Sequence, residues 1–150
     1  MSKEEKKSLV TIGIHDIKYI SFDFTNKAKS LKKGFDKGKY EFNFHLNSVV
    51  LEKEKQLRVE LTIDLNGIDK KDNNVEIAQL KTTFLYRVVN FEQVIKKINN
   101  SFSIPDHLFA ITSSISVSTA RGMFVMNLKD TLFSNAIIPI MDGKNFVPKK

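Results

Sequence analysis

The 150-residue sequence contains no cysteine, which excludes a disulfide framework, a thiolate nucleophile and any cysteine-ligated metal. Paired histidine ligands are missing as well: His15, His45 and His107 stand far apart, and no His-x-x-x-His or His-x-x-Glu spacing occurs. The serines at 113, 114, 116 and 118 have no Gly-x-Ser-x-Gly elbow around them. Gly34 and Gly38 frame no Gly-Lys-Ser/Thr phosphate loop. Glu52 and Glu54 fall in the connection EKEKQ, where carboxylates are ordinarily solvated. Without convergent titratable groups, the sequence reads as a non-enzyme that needs no cofactor and no metal.

Long apolar runs are also missing. None approaches the roughly 18 residues needed to span a bilayer. The stretch MSKEEKKSLV carries charges of both signs and no apolar core of signal-peptide length. The expectation is a soluble cytoplasmic protein with no membrane insertion, for which the sequon Asn99-Asn100-Ser101 has no relevance.

What is present fits one ordinary globular domain, with 41% hydrophobic and 27% charged residues. The net charge of +7 lies at the ends. Residues 1–39 hold ten lysines and five acids, a balance of +5, and Lys144, Lys149 and Lys150 add +3. Residues 40–142, with eleven Lys or Arg against twelve acids, stand at −1. Nucleic-acid surfaces more often carry charge as a stripe on folded elements with aromatics interleaved. NKAKSLKKGFDKGK (26–39) therefore reads as a solvated basic loop, and nucleic acid is not an expected partner.

Strand patterns dominate the first half. Val10, Ile12 and Ile14 share a parity with Ile20, Phe22 and Phe24, and Asp16 and Lys18 interrupt it, which predicts one long strand with a break or bulge, or two short ones. Tyr40, Phe42, Phe44 and Leu46 alternate with polar residues, as do Leu57, Val59, Leu61, Ile63 and Leu65. A fourth run covers 75–89. Each clear strand has one apolar and one polar face, the pattern of an antiparallel sheet covered on a single side. Phe91, Val94, Ile95 and Ile98 then switch to helical spacing. Strands first and helices after predict α+β.

The stretch ITSSISVSTARGMF (111–124) is ambiguous. Ile115 and Val117 alternate with serines like a strand, whereas Pro105 upstream and Gly122 downstream look like helix boundaries. ISVSTARGMF, followed by Asn127-Leu128 and Phe133, resembles the carboxy-terminal half of the SecB family of export chaperones. IKYISFDF (17–24) is similar to that family's first strand, and KGFDKGKYEFNFHL (33–46) to its loop into strand two. The resemblance runs from about Leu9 to Phe133 in matching order.

It implies a four-stranded antiparallel sheet with a long carboxy-terminal helix on one face, the helix covering 106–121 and closed by Gly122 in a left-handed conformation. Arg121 would then be structural, a cation at a helix end. A disordered arm (1–8), one domain (9–141) and a basic tail (142–150) complete the chain. The implied activity is ATP-independent holding of unfolded polypeptides in apolar grooves, through Phe35, Met123, Phe124, Met126 and Phe133, in protein export; the alternative is a chaperone or scaffold for another dedicated partner, such as an antitoxin. Ser113, Ser114 and Ser118 would let another copy approach closely in a tetramer or dimer. Two features depart from the resemblance. Where the family carries paired acids flanking Ile-Ser-Phe, this chain keeps Asp23 but has Tyr19. Pro139 also interrupts the second helix. Docking to the SecA motor is accordingly expected to be weakened or lost.

Overall fold

The computed structural model describes residues 11–149; the arm expected at 1–8 lies outside them. Four strands, β1 (Ile12–Phe24), β2 (Tyr40–Leu51), β3 (Gln56–Ile68) and β4 (Asn74–Val88), form an antiparallel sheet in the order β1-β4-β3-β2. A short helix α1 (Asn26–Ser30), capped by the Thr25 hydroxyl, follows β1. The long helix α3 (Asp106–Leu128) covers the apolar face of the sheet. The architecture is α+β, as the strand-then-helix order implies.

β3 and β4 are the central strands, and their alternation becomes burial directly. Leu57, Val59, Leu61, Ile63 and Leu65 are buried, as are Leu80, Phe84 and Tyr86 opposite them. A buried polar cluster fixes α3 to this surface. The Tyr86 hydroxyl lies 3.1 Å from the Thr112 carbonyl and 2.7 Å from Ser116 Oγ, and Ser116 donates to that same carbonyl. Thr112 bonds back to the Leu108 carbonyl, so each hydroxyl in the cluster has a partner. This answers the serine-rich ambiguity. The apparent strand period is overridden because Ser116 serves both the sheet, through Tyr86, and the preceding turn, through the Thr112 carbonyl.

Four details differ from expectation. β1 carries two irregularities, at Ile14/Asp16 and Tyr19/Ser21, rather than one break. Between them Ile17 and Tyr19 pair with Phe84 and Thr82 and so share the helix-side face. The skipped residue Ile20 is left 60% exposed. The helix expected over 91–98 is a single turn, α2 (Phe91–Val94), followed by a hairpin of β5 (Lys96–Ile98) and β6 (Ser101–Ser103). Asn99 and Asn100 both take positive φ, 47° and 64°, as a two-residue hairpin turn requires. α3 does not stop at Gly122, which lies within the helix, but continues to Leu128. Asp130 supplies the left-handed residue just beyond it. Finally, α3 is long and apolar enough to cross a membrane by length and composition, although no unbroken apolar run announces it; here it buries one side against the sheet.

After α3 the chain turns at 131–134 and runs back along the helix as a strap, residues 135–149, which is interrupted by a short 3-10 turn (Gly143–Phe146) capped by Asp142. The second helix is absent here, as Pro139 foreshadows. Ala136, Ile138 and Gly143 are buried, whereas Ile137 and Ile140 point outward.

Candidate functional site

β2 is an edge strand, and its apolar side faces an incompletely filled groove. Tyr40, Phe42, Phe44 and Leu46 are only half-buried, unlike their partners on β3. Two cavities lie along this strand. One, of about 380 Å³, is bounded by Tyr40, Phe42 and Phe44 from β2 and by Ile137, Pro139 and Met141 from the strap. The other, of about 490 Å³, is bounded by Leu46, Phe102, Ile104 and Phe109, with Phe146 and Pro148 of the strap opposite. The Phe44 and Phe146 rings meet edge to face between them, centroids 5.6 Å apart. From Tyr40 to Ser48 the groove spans roughly 26 Å at the usual strand rise, room for about eight extended residues.

The near end is closed by the loop after α1. Phe35 lies over Gly67 of β3, where a Cβ would collide with its ring, and meets Tyr40 edge to face at 5.8 Å. The Tyr40 hydroxyl donates to Asn135 Oδ1 (2.8 Å) and accepts from the Phe35 amide (3.2 Å), and Asn135 donates to the Phe35 carbonyl. Burial pushes the Tyr40 pKa above its ordinary value. Lys37 lines the same end, and the remaining lysines of 26–39 are exposed.

The sequence-predicted residues separate into groups. Phe35 stands half-buried at the groove mouth. Phe124 is fully buried, packed edge to face on Phe22 and Phe42, and so completes the core, whereas Phe133, 4% exposed beside Phe24, also borders a separate cavity of about 470 Å³ with Leu31 and Leu132, away from β2. Met123 is half-buried and Met126 is 71% exposed; neither borders the two cavities along β2. Ser113 is buried within the chain, and only Ser118 of the three serines is exposed. Ser114 and Ala110 admit a close backbone, but it belongs to this same chain. Gly143 presses there so tightly that a Cβ would overlap the Ala110 carbonyl. Arg121 does not serve a helix end either: Nε and Nη2 donate to the carbonyls of Ile138 and Pro139 in the strap, at 2.9 and 3.1 Å.

Tyr19 and Asp23 do not form one site. The irregularity between Tyr19 and Ser21 puts Tyr19 on the helix side, 3.5 Å from Asn127, and Asp23 on the polar face opposite Gln79. There Asp23, Asp64 and Glu76 border a cavity of about 460 Å³. Asp64 is engaged by Gln79 (2.7 Å) and His45 (3.1 Å). Among the described residues no cluster of three or more His, Asp or Glu could hold a metal ion.

No protein-family model and no curated protein matches the chain. Solved structures do. One is the SecB-like chaperone Rv1957 of Mycobacterium tuberculosis, in complex with a ChAD peptide from the HigA1 antitoxin; the TM-score is 0.56 over 87% of this chain and 90% of that one, at 12% identity. The fold is SecB-like. On a SecB-like sheet the groove residues that sequence reasoning missed are Tyr40, Phe42, Phe44 and Leu46, which read there as plain core alternation. Three aromatics on one strand, against only aliphatic residues on the buried face of β3, were the available signal.

Proposed function

We propose that the chain is an ATP-independent chaperone that holds extended apolar segments of unfolded polypeptides in the groove beside β2. The observation that carries this reading is the row Tyr40, Phe42, Phe44 and Leu46, left half-buried beside two apolar-walled cavities on a SecB-like fold. Multiple shallow aromatic contacts suit weak, multivalent retention of a wrapped chain. Phe35 stands at the mouth as a further contact, and exposed Met126 offers an adaptable one outside the groove. The direct test is light scattering by an unfolding client protein, with and without an equimolar amount of this chain and no nucleotide. Suppression in the wild type and its loss in Phe35→Ser and Phe44→Ser are expected. Aggregation at the same rate with and without the wild type would sink the reading.

A dedicated partner is the second reading, favoured by the antitoxin peptide in the Mycobacterium tuberculosis complex. It predicts indifference to unrelated unfolded clients and tight binding of one peptide. Under either reading we expect a dimer or tetramer. Ile14, Ile17 and Tyr19 on β1 and Ile111 and Val125 on α3 are exposed apolar side chains that a second copy would cover. Size exclusion with light scattering decides it, and a monomer at tens of micromolar refutes it. Docking of a basic SecA tail should be weak, because of the acids near Asp23 one, Asp64, is already engaged by His45 and Gln79, and Lys81 sits on the same polar face beside Ser21. Micromolar affinity for a SecA carboxy-terminal peptide at physiological salt would restore the export role.

A further inference from the structure

The strap has the chemistry of the client. It is extended, its Ala136 and Ile138 side chains are buried against the fold, and two successive carbonyls are held by Arg121. A residue without a side chain, Gly143, then seats on Ala110 and Ser114. No strap residue belongs to either sheet, and its backbone–backbone hydrogen bonds are local, such as Ala136 to Phe133 and Asn145 to Asp142. Side-chain hydrogen bonds and packing, with no backbone ladder, attach it to the rest of the fold. Such a segment belongs to the low-stability end of a structure. Its outer surface is also apolar, with Ile140 91% exposed.

We infer that the strap is a resident pseudo-client: it occupies the polypeptide site between α3 and β2, and an incoming segment must displace it. The inference rests on the polypeptide-binding reading. The partner it implies is an extended segment with alternate apolar side chains and a small residue about five positions after the carbonyls that Arg121 holds, as Gly143 follows Ile138. Arg121 recognises main-chain carbonyls, which every sequence offers, so it anchors without selecting sequence. Occupancy by the strap lowers apparent affinity by the fraction of time the site is open.

The test uses the full-length chain and a permanently unfolded polypeptide, reduced and carboxymethylated α-lactalbumin. Hydrogen exchange of strap amides 136–147 should accelerate when this client is added. Gly143→Val and, independently, Ile138→Ser change strap residues that border neither cavity; each should speed strap exchange and tighten client binding, by about tenfold if the site is normally open a tenth of the time. Arg121→Ala should free the strap equally without that gain in affinity, because it also removes the anchor. Client binding that protects the strap from exchange, or strap variants that bind client no tighter, would overturn the inference and leave the strap as a fixed wall of the groove. If the client binds neither wild type nor variants, the polypeptide-binding reading falls and this inference with it.

Discussion

β3 and the strap are both apolar stretches laid against the same core, yet they are held by different means. β3 shares hydrogen-bond ladders with β2 and β4 on its two sides, so the direction of every side chain is fixed by its neighbours. The strap has no ladder among the described residues; its order rests on Arg121, Asn135, Gly143 and the Phe44–Phe146 contact. Apolar composition therefore does not decide how firmly a segment is held. Satisfaction of its backbone does.

The sharpest way to break the comparison is to cut apolar bulk from the core under the sheet and from the strap. Phe124→Ala removes a fully buried ring that touches both Phe22 and Phe42, and should cost about 3–5 kcal/mol, seen as a large fall in thermal midpoint. Ile140→Ser, at the outward side of the strap, should shift stability by less than about 0.5 kcal/mol. Similar losses from the two would show that the strap is as much core as the sheet.

Ser114→Arg sharpens the contrast further. Its new side chain would invade the contact with Gly143, so overpacking of about 1–3 kcal/mol should be relieved by release of the strap. Hydrogen exchange should quicken at 136–147 and stay slow in β3 and β4. Uniform acceleration would mean that the strap and the sheet open together. The expectation that Ser114 lets another copy approach predicts instead a weakened assembly, so the same substitution separates the two roles. An intact oligomer with a loosened strap assigns Ser114 to the strap.

What could be read from the sequence follows the same division. β2, β3 and the α+β order were legible because ladders convert a period of two directly into buried and exposed faces. β1 was half legible: Asp16 and Lys18 advertised an interruption, but the bulge that skips Ile20 and separates Tyr19 from Asp23 leaves no mark in composition. The helix end was misplaced because a glycine near the expected boundary reads as a stop, and only packing of Phe124 and Leu128 onto the sheet carries α3 through it. The hairpin at 96–103 was hidden by apolar residues at helical spacing, although Asn99-Asn100 was a hairpin signal. At the candidate site, Phe35 was singled out by the resemblance and lies half-buried at the groove mouth. Arg121 and Gly143 were not, since no local pattern shows that the chain returns along its own helix.

Tyr86→Phe tests the polar cluster that pins α3 to the sheet. Loss of the hydroxyl removes its contacts with Thr112 and Ser116, and should cost about 1–2 kcal/mol by denaturant titration. The cluster also sets an alkaline limit. Burial pushes the Tyr86 pKa from 10.0 up to about 12, so the folded chain keeps a proton that the unfolded chain has already lost between those values. Stability from this group is complete below pH 10 and falls as pH rises through 12, by about 1.4 kcal/mol per unit in between. The variant should lose that part of the alkaline decline. An identical decline would assign it to other groups.

A small stabilising effect is expected on the outer side of α3, which neither the sheet nor the strap covers. Gly122 lies within the helix at ordinary helical φ, and a Cβ built there meets nothing within 4 Å. A glycine in an exposed helix interior costs about 1 kcal/mol relative to alanine through its greater freedom in the unfolded chain. Within one chain, then, Gly122→Ala should raise stability by about 0.5–1 kcal/mol, a few degrees in thermal midpoint. The neighbouring exposed residues Ile111, Ser118 and Val125 supply the surface on which a second copy would pack. If another backbone comes within contact of Gly122 in an oligomer, the added methyl would hold the two helices apart. The same variant would then lower the midpoint and do so more steeply at low protein concentration. A midpoint that rises independently of concentration leaves this side of α3 to solvent and confines any oligomer contact to the β1 edge.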